Sequence, residues 1–149
     1  MKKIRVFIYI CCISIAWLCS SCEYDLNKGI DFISPQAVIE TDTLEAFRGD
    51  MIEICADIAD ESGISYISLE YADWGVEDTR VFEEPDCPQR YFYSCEVKVP
   101  EDAVLEWDEV FTKNDGTKFD IKQCYHQLSL TCYDRVNNKH IFYYYIKVK

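Results

Sequence analysis

Three stretches of this chain alternate with a period of two, and that pattern constrains its fold more than any other feature. From Met51 to Ala59, Ile52, Ile54, Ala56 and Ile58 fall on one side and Glu53, Cys55 and Asp57 on the other. From Tyr91 to Val99, Tyr91, Tyr93, Cys95, Val97 and Val99 oppose Glu96 and Lys98. From His140 to Val148, Phe142, Tyr144, Ile146 and Val148 oppose Ile141, Tyr143 and Tyr145. Successive side chains of an extended strand point to opposite faces, so each stretch reads as a strand with one face in a core. No amphipathic helical period appears in the rest of the chain, so the core has to be built by packing sheet on sheet.

The intervening segments carry turn chemistry. Arg48-Gly49-Asp50 precedes the first of these strands and Asp60-Glu61-Ser62-Gly63 follows it. Ile64, Ile67, Leu69 and Tyr71 give the next strand its apolar side, with Ser68 and Glu70 outward. Ile64 is out of parity with the others, which predicts a bulge near Ser65. Gln36 to Glu40, behind Pro35, reads as a short edge strand. Gly75 to Asp78 and Glu83 to Gln89 read as acidic loops, and Glu101 to Asp120 is unpatterned apart from a turn at Asn114-Asp115-Gly116. Ile121 to Tyr133 reads as one long strand with Cys124, Leu128, Leu130 and Cys132 inward, followed by a turn in which Asn137-Asn138 suits positive φ. Ile141 to Ile146 (IFYYYI) is uncharged, rich in β-formers and free of proline, the composition of a segment that recruits other chains from an open edge. With only three residues after it, this strand is expected to be interior, between Ile121–Tyr133 and one further strand. The expectation is an all-β, antiparallel β-sandwich of about six to eight strands over residues 33–149.

The first 22 residues are of another kind. Lys2, Lys3 and Arg5 precede the uncharged run Val6 to Leu18. As a helix that run rises only ~20 Å, short of the ~30 Å hydrocarbon core of a bilayer. It therefore reads as an N-terminal signal helix, residues 1–21, that is cleaved. Leu18-Cys19-Ser20-Ser21-Cys22 resembles the lipobox of bacterial lipoproteins, with Cys19 where an aliphatic residue is usual. The resemblance implies that Cys22 is acylated and becomes the mature terminus. It implies a lipid bilayer as partner and a cell-envelope address, at the outer membrane. An ordinary cleavage after Ser21, leaving a soluble secreted protein, is the alternative. Residues 22–32 are polar and read as a tether, and Glu23 and Asp25 loosely resemble the surface-export signal of Bacteroidetes lipoproteins. The strand–turn–strand unit Ile52 to Tyr71 and the closing hairpin from Leu128 resemble the immunoglobulin-like domains of bacterial surface proteins. In Bacteroidetes such proteins are mostly uncharacterised lipoproteins, so the resemblance implies a fold and an address and no activity.

Charge and cysteine usage exclude several classes. Three of the 15 basic residues lie in the signal and none of the 27 acidic ones does, so the remainder has 12 against 27, a net −15. Such a surface argues against nucleic acid. Beyond Cys22 there are five cysteines, Cys55, Cys87, Cys95, Cys124 and Cys132, without Cys-x-x-Cys spacing. That argues against a zinc site or a thioredoxin-like motif. An antibody-type bridge from Cys55 to Cys132 is opposed by parity, because Cys55 shares its face with Glu53 and Asp57. Cys87 and Cys95 can meet if Pro88 folds the loop back; free, buried thiols are the equal alternative.

No catalytic or cofactor-binding motif is present. The two histidines, His126 and His140, have no nucleophile context, and His126 shares parity with Leu128 as a hydrogen-bonded core residue would. Asp57, Asp60, Glu61 and Asp134 resemble the interdomain calcium ligands of cadherin-type sandwiches. Without Asp-x-Asp spacing the expectation is an acidic turn and no metal. The aromatics offer more. Trp74, Trp107, Tyr143 and Tyr145 are candidates for a ligand face that stacks on sugar rings. The function expected is a non-catalytic binding or structural module of the envelope, its partner an envelope protein or a glycan. A glycan-binding surface protein using Trp74, Tyr143 and Tyr145 is the competing class.

Overall fold

Alternation does produce strands where it is strongest. In the computed structural model, which describes residues 31–149, Met51–Ala59 is β3, Arg90–Lys98 is β6 and Lys139–Val148 is β10. The other strands are β1 (Gln36–Val38), β2 (Thr43–Ala46), β4 (Ile64–Tyr71), β5 (Val76–Val81), β7 (Trp107–Thr112), β8 (Lys118–Gln123) and β9 (His126–Asp134). The signal segment, Cys22 and the tether to residue 30 lie outside the described residues.

The strands form two sheets, ordered β1-β3-β6 and β2-β10-β9-β4-β5, and a separate hairpin β7-β8. Laid out this way, β1-β3-β6 and β10-β9-β4-β5 follow the A-B-E and G-F-C-C′ order of an immunoglobulin-type sandwich. All pairings are antiparallel except β2 with β10, where the first segment of the domain crosses to the second sheet and runs parallel to the last strand. Ile54, Ala56, Ile58, Tyr93 and Val97 from one sheet share a single core with Ile67, Leu69, Leu128, Leu130, Tyr144 and Ile146 from the other. Two buried tyrosines span the gap in opposite directions. Tyr93 of the first sheet donates its hydroxyl to Asp78 of β5 at 2.8 Å, and Tyr144 of the second donates to the backbone carbonyl of Cys55 at 2.7 Å. Burial raises both phenols well above the ordinary tyrosine value, so they stay donors.

Several expectations are met in detail. The register of β4 on β9 shifts between Ile64 and Tyr66, which is the anticipated bulge. Asn137 takes φ 69 in the β9–β10 turn, and β10 is interior, between β9 and β2. At the β3–β4 turn Gly63 has φ +100, and a Cβ there would meet the Cys87 carbonyl at 3.0 Å.

The described residues hold ten strands: the two sheets account for eight, within the six to eight expected, and β7 and β8 add a hairpin outside them. Other expectations are corrected. Ile121 to Tyr133 is not one strand: the chain leaves the hairpin at Gln123 and joins the second sheet at His126, so Cys124 sits half-buried in the junction and not in the core. The less exposed positions are odd in β8 (Ile121, Gln123) and even in β9 (His126, Leu128), so the change of sheet is marked by a switch of parity. Val76 to Val81, read as mostly acidic loop, is an edge strand whose inward positions include Asp78 and Arg80; they pair with each other at 2.6 Å. Inward charge on an edge strand disguises it in sequence and protects it in structure. Ser68 faces outward with Glu70 as expected but is covered there, with its hydroxyl on Glu70 at 2.8 Å and 3.3 Å from that of Thr79. The Glu101–Asp120 stretch holds β7 and part of β8, turning where Asn114-Asp115-Gly116 indicated.

Candidate functional site

The strand directions give the sandwich two chemically different ends. At one end are the β3–β4 and β9–β10 turns and the point where the domain begins. Here Arg135 donates its backbone N–H to Gly63, and Asn138 donates its side-chain amide to the Asp31 carbonyl at 2.9 Å. Asp134, fully buried, accepts from the backbone of Val136 and Asn138 and from the Asn138 amide. Asp60 accepts from the backbone and hydroxyl of Ser62. The carboxylates of Asp31, Asp60 and Asp134 converge within 4.8 Å of one another. Of the acids compared with calcium ligands, Asp60 and Asp134 therefore meet, Asp57 instead pairs with Arg90 across β3 and β6, and Glu61 is exposed. The oxygens of Asp60 and Asp134 are largely occupied in shaping their own turns, as Asx motifs do.

The other end carries an aromatic cleft. Tyr71 closes β4 on the inward parity of Ile67 and Leu69, and the chain then makes one 3₁₀ turn, Ala72–Trp74. Gly75, at φ 64, returns its N–H to the Ala72 carbonyl and ends that turn. Only a residue tolerant of left-handed backbone allows so tight a stop, and it fixes Trp74 beside the sheet. His126 opens β9 and is 4% exposed. Trp107 opens β7. The imidazole lies between the two indoles, 4.7 Å from Trp74 and 4.9 Å from Trp107, tilted 44° and 41°. Tyr71 packs edge-on against both His126 and Trp74.

Hydrogen bonds lock the histidine in place. Its Nε2 is 2.7 Å from the Val104 carbonyl, which can only accept, so Nε2 carries a proton. Its Nδ1, the acceptor nitrogen, is 2.8 Å from the Tyr71 hydroxyl, which also lies 3.0 Å from an Asp73 carboxylate oxygen, so the single phenolic hydrogen serves one of the two acceptors at a time. Burial first, and the Asp73 carboxylate second, push the Tyr71 phenol far above its ordinary value. His126 is thus a clasp joining β4, β9 and the Pro100–Glu106 loop, with neither ring nitrogen free. Around it opens a cleft of about 410 Å³ lined by Trp74, Trp107, His126, Asp73 and Asp102, with Pro100, Ala103 and Val104 completing the wall. The Trp74 indole N–H is shielded and has no acceptor among the described residues.

Beyond the cleft the β7–β8 hairpin pairs only with itself. Its register puts Trp107, Phe111, Phe119 and Ile121 on one face, with Phe111 and Phe119 exposed and 5.5 Å apart. Tyr143 and Tyr145 lie elsewhere. They share the outer face of the second sheet, opposite Ser129 and Gln127, with Tyr143 40% exposed, whereas His126 and its tryptophans belong to the inner parity. The structure thus joins Trp74 to Trp107 and separates both from the tyrosine pair. Tyr71, Asp73 and Asp102 were not singled out from sequence; the signal for them was the inward parity of Tyr71 two residues before Asp73.

All five cysteines are free, Cys132 in the core and the others half-buried. Cys55 and Cys132 face opposite sides of their sheets, as parity required. Burial pushes the Cys132 thiol up to about 12. No protein-family model and no curated protein matches the chain.

Proposed function

We propose that this chain is a lipid-anchored protein of the bacterial cell envelope, of the Bacteroidetes surface-lipoprotein kind, whose sandwich is a non-catalytic binding module held with its aromatic end away from the membrane. The observation that carries the reading is the polarity of the domain. Asp31 enters beside the β3–β4 and β9–β10 turns, while the Trp74–Trp107 cleft and the β7–β8 hairpin sit at the opposite end of β9. That strand has nine residues, about 25–30 Å at ~3.3 Å each. An anchor on Cys22 with a short polar tether presents the far end outward, and the exposed aromatic surface lies there. Among the described residues no helix is long and apolar enough to cross a membrane, so in this reading the lipid is what holds the domain in place.

Mass spectrometry of the protein from membrane fractions tests this directly. The expected mature terminus is acylated Cys22, and Cys22→Ala should move the protein to the soluble envelope fraction. An unmodified terminus at Ser20 or Glu23 on membrane-free protein refutes the anchor.

A further inference from the structure

The cleft has a chemistry that narrows its ligand. We infer that it binds an organic cation, an ammonium group carrying methyl or methylene substituents, in the cleft that Trp74, Trp107, Asp73 and Asp102 line, against the indole surface His126 leaves uncovered; the inference rests on the aromatic end being the binding end. Indole faces attract a cation lying within ~6 Å of the ring centroid, more strongly than any other aromatic side chain does. The carboxylates of Asp73 and Asp102 stand at the rim, and among the described residues neither forms an ion pair. No lysine or arginine lines the cleft. The adjoining groove that Asp102 also lines holds two basic groups, Arg48, whose Nε donates to the Ala103 carbonyl at 2.9 Å, and Lys147. A phosphate or carboxylate ligand would meet two negative charges with nothing to neutralise it. A neutral sugar can stack on the indoles and leaves the charge unused. A cation uses both features, and the acidity of the whole domain raises its local concentration. The volume, about 410 Å³, suits a small molecule, since such sites run from about 300 to 1,000 Å³. The Trp74 N–H has no acceptor among the described residues, and packing against Tyr71 and His126 holds that indole.

The mature chain makes the test clean. Of three tryptophans, Trp17 lies in the signal, so Trp74 and Trp107 are the only fluorophores of their kind left. Purified mature protein is titrated with choline chloride, with sodium chloride at equal ionic strength, and with maltose, following tryptophan emission. A saturable change with choline alone is expected. Asp73→Asn and Asp102→Asn should each weaken it about tenfold, as the loss of one close charge contact in a shielded site does, and Asp102→Asn should leave the melting temperature unchanged. Trp107→Ala, in the peripheral hairpin, should abolish it. A choline response no different from that of sodium chloride overturns the inference, as does undiminished binding by both aspartate variants. Maltose binding in place of choline overturns the cation and leaves the aromatic end as the binding end; an acylated Cys22 with no response to either probe overturns the cation and leaves the anchor intact.

Discussion

Replacing His126 by phenylalanine isolates what the clasp contributes. Phenylalanine keeps a flat ring between the indoles, so the stacking is largely retained and the hydrogen bonds are what is removed. Two are lost, one to Val104 and one to Tyr71. A net hydrogen bond contributes ~0.5–1.5 kcal/mol, and a stranded buried acceptor costs ~1–3 kcal/mol when water cannot replace the donor. Val104 itself is exposed, so its carbonyl regains water easily once the loop moves. The expected loss is therefore about 1–3 kcal/mol. Urea unfolding followed by circular dichroism should show a lower midpoint at unchanged slope, because the surface exposed on unfolding stays the same. Hydrogen exchange should accelerate first in the Pro100–Glu106 loop and β7, which the clasp ties to the sheet. Tyr71→Phe shares the network, so the double variant should lose less than the two single losses combined, with a coupling of ~0.5 kcal/mol or more. A midpoint shift worth less than ~0.5 kcal/mol would falsify the clasp and leave His126 a packed ring whose hydrogen bonds add little.

Three further outcomes follow from the same structure. The Arg90 guanidinium, through a hydrogen bond and by charge, holds the Asp57 carboxyl below its ordinary value; the stabilisation is present above the unfolded aspartate value of ~3.9 and is lost as pH falls through the lower folded one, so the stability gap between wild type and Asp57→Asn should close as pH falls below that value in urea titrations. With its thiol pushed up to about 12 in the core, Cys132 should resist maleimide in the native state and react only on unfolding, after Cys55, Cys87, Cys95 and Cys124; peptide mapping that finds it labelled early contradicts the assigned face. Gly63→Ala combines a left-handed φ of +100 with contacts of 3.0 and 3.1 Å on Cys87, so calorimetry should find a loss of about 1–3 kcal/mol, and a neutral result means the turn relaxes freely.

What could be read from the residues divides along physical lines. Strands buried on one face, such as β3, β6 and β10, announce themselves by alternation, because transfer of apolar side chains from water dominates their energetics. The bulge at Ser65 was legible for the same reason: Ile64 has to be inside and breaks parity. β2 was not, since Thr-Leu-Glu-Ala has weak strand preference and is held in place by a parallel neighbour about a hundred residues away. β5 was missed because its inward Asp78 is made tolerable only by Arg80 and Tyr93, the latter from the other sheet. The cleft was half legible. Trp74 and Trp107 were candidates by type, but their convergence on His126 depends on three connections whose paths sequence does not encode locally. Tyr143 and Tyr145 were candidates on equal terms, and only the register of β10 on β9 puts them on a different face.

The protection of IFYYYI joins fold to function. The segment needs a neighbour on each side, and β9 supplies one over eight registered pairs. The other is β2, four residues long, which covers Tyr145 to Val148 in parallel and so only the last two residues of the segment. The remaining edges are managed differently. β1 has three residues, β5 carries Glu77, Asp78 and Arg80, and β6 carries Arg90, Glu96 and Lys98. Short or charged edges discourage strand addition by other chains. With the other flanks short or charged, association is left mainly to the ends, the sheet faces and the stretch of β10 that β2 does not reach. The end where the chain enters is occupied by its own turns, with Asp134 and Asn138 satisfied internally. The opposite end holds the two tryptophans, the unpaired acids Asp73 and Asp102, and a hairpin whose phenylalanines lack a cover. In the proposed reading the chain enters at the first end and the exposed aromatic surface lies at the second, the arrangement a displayed binding module requires.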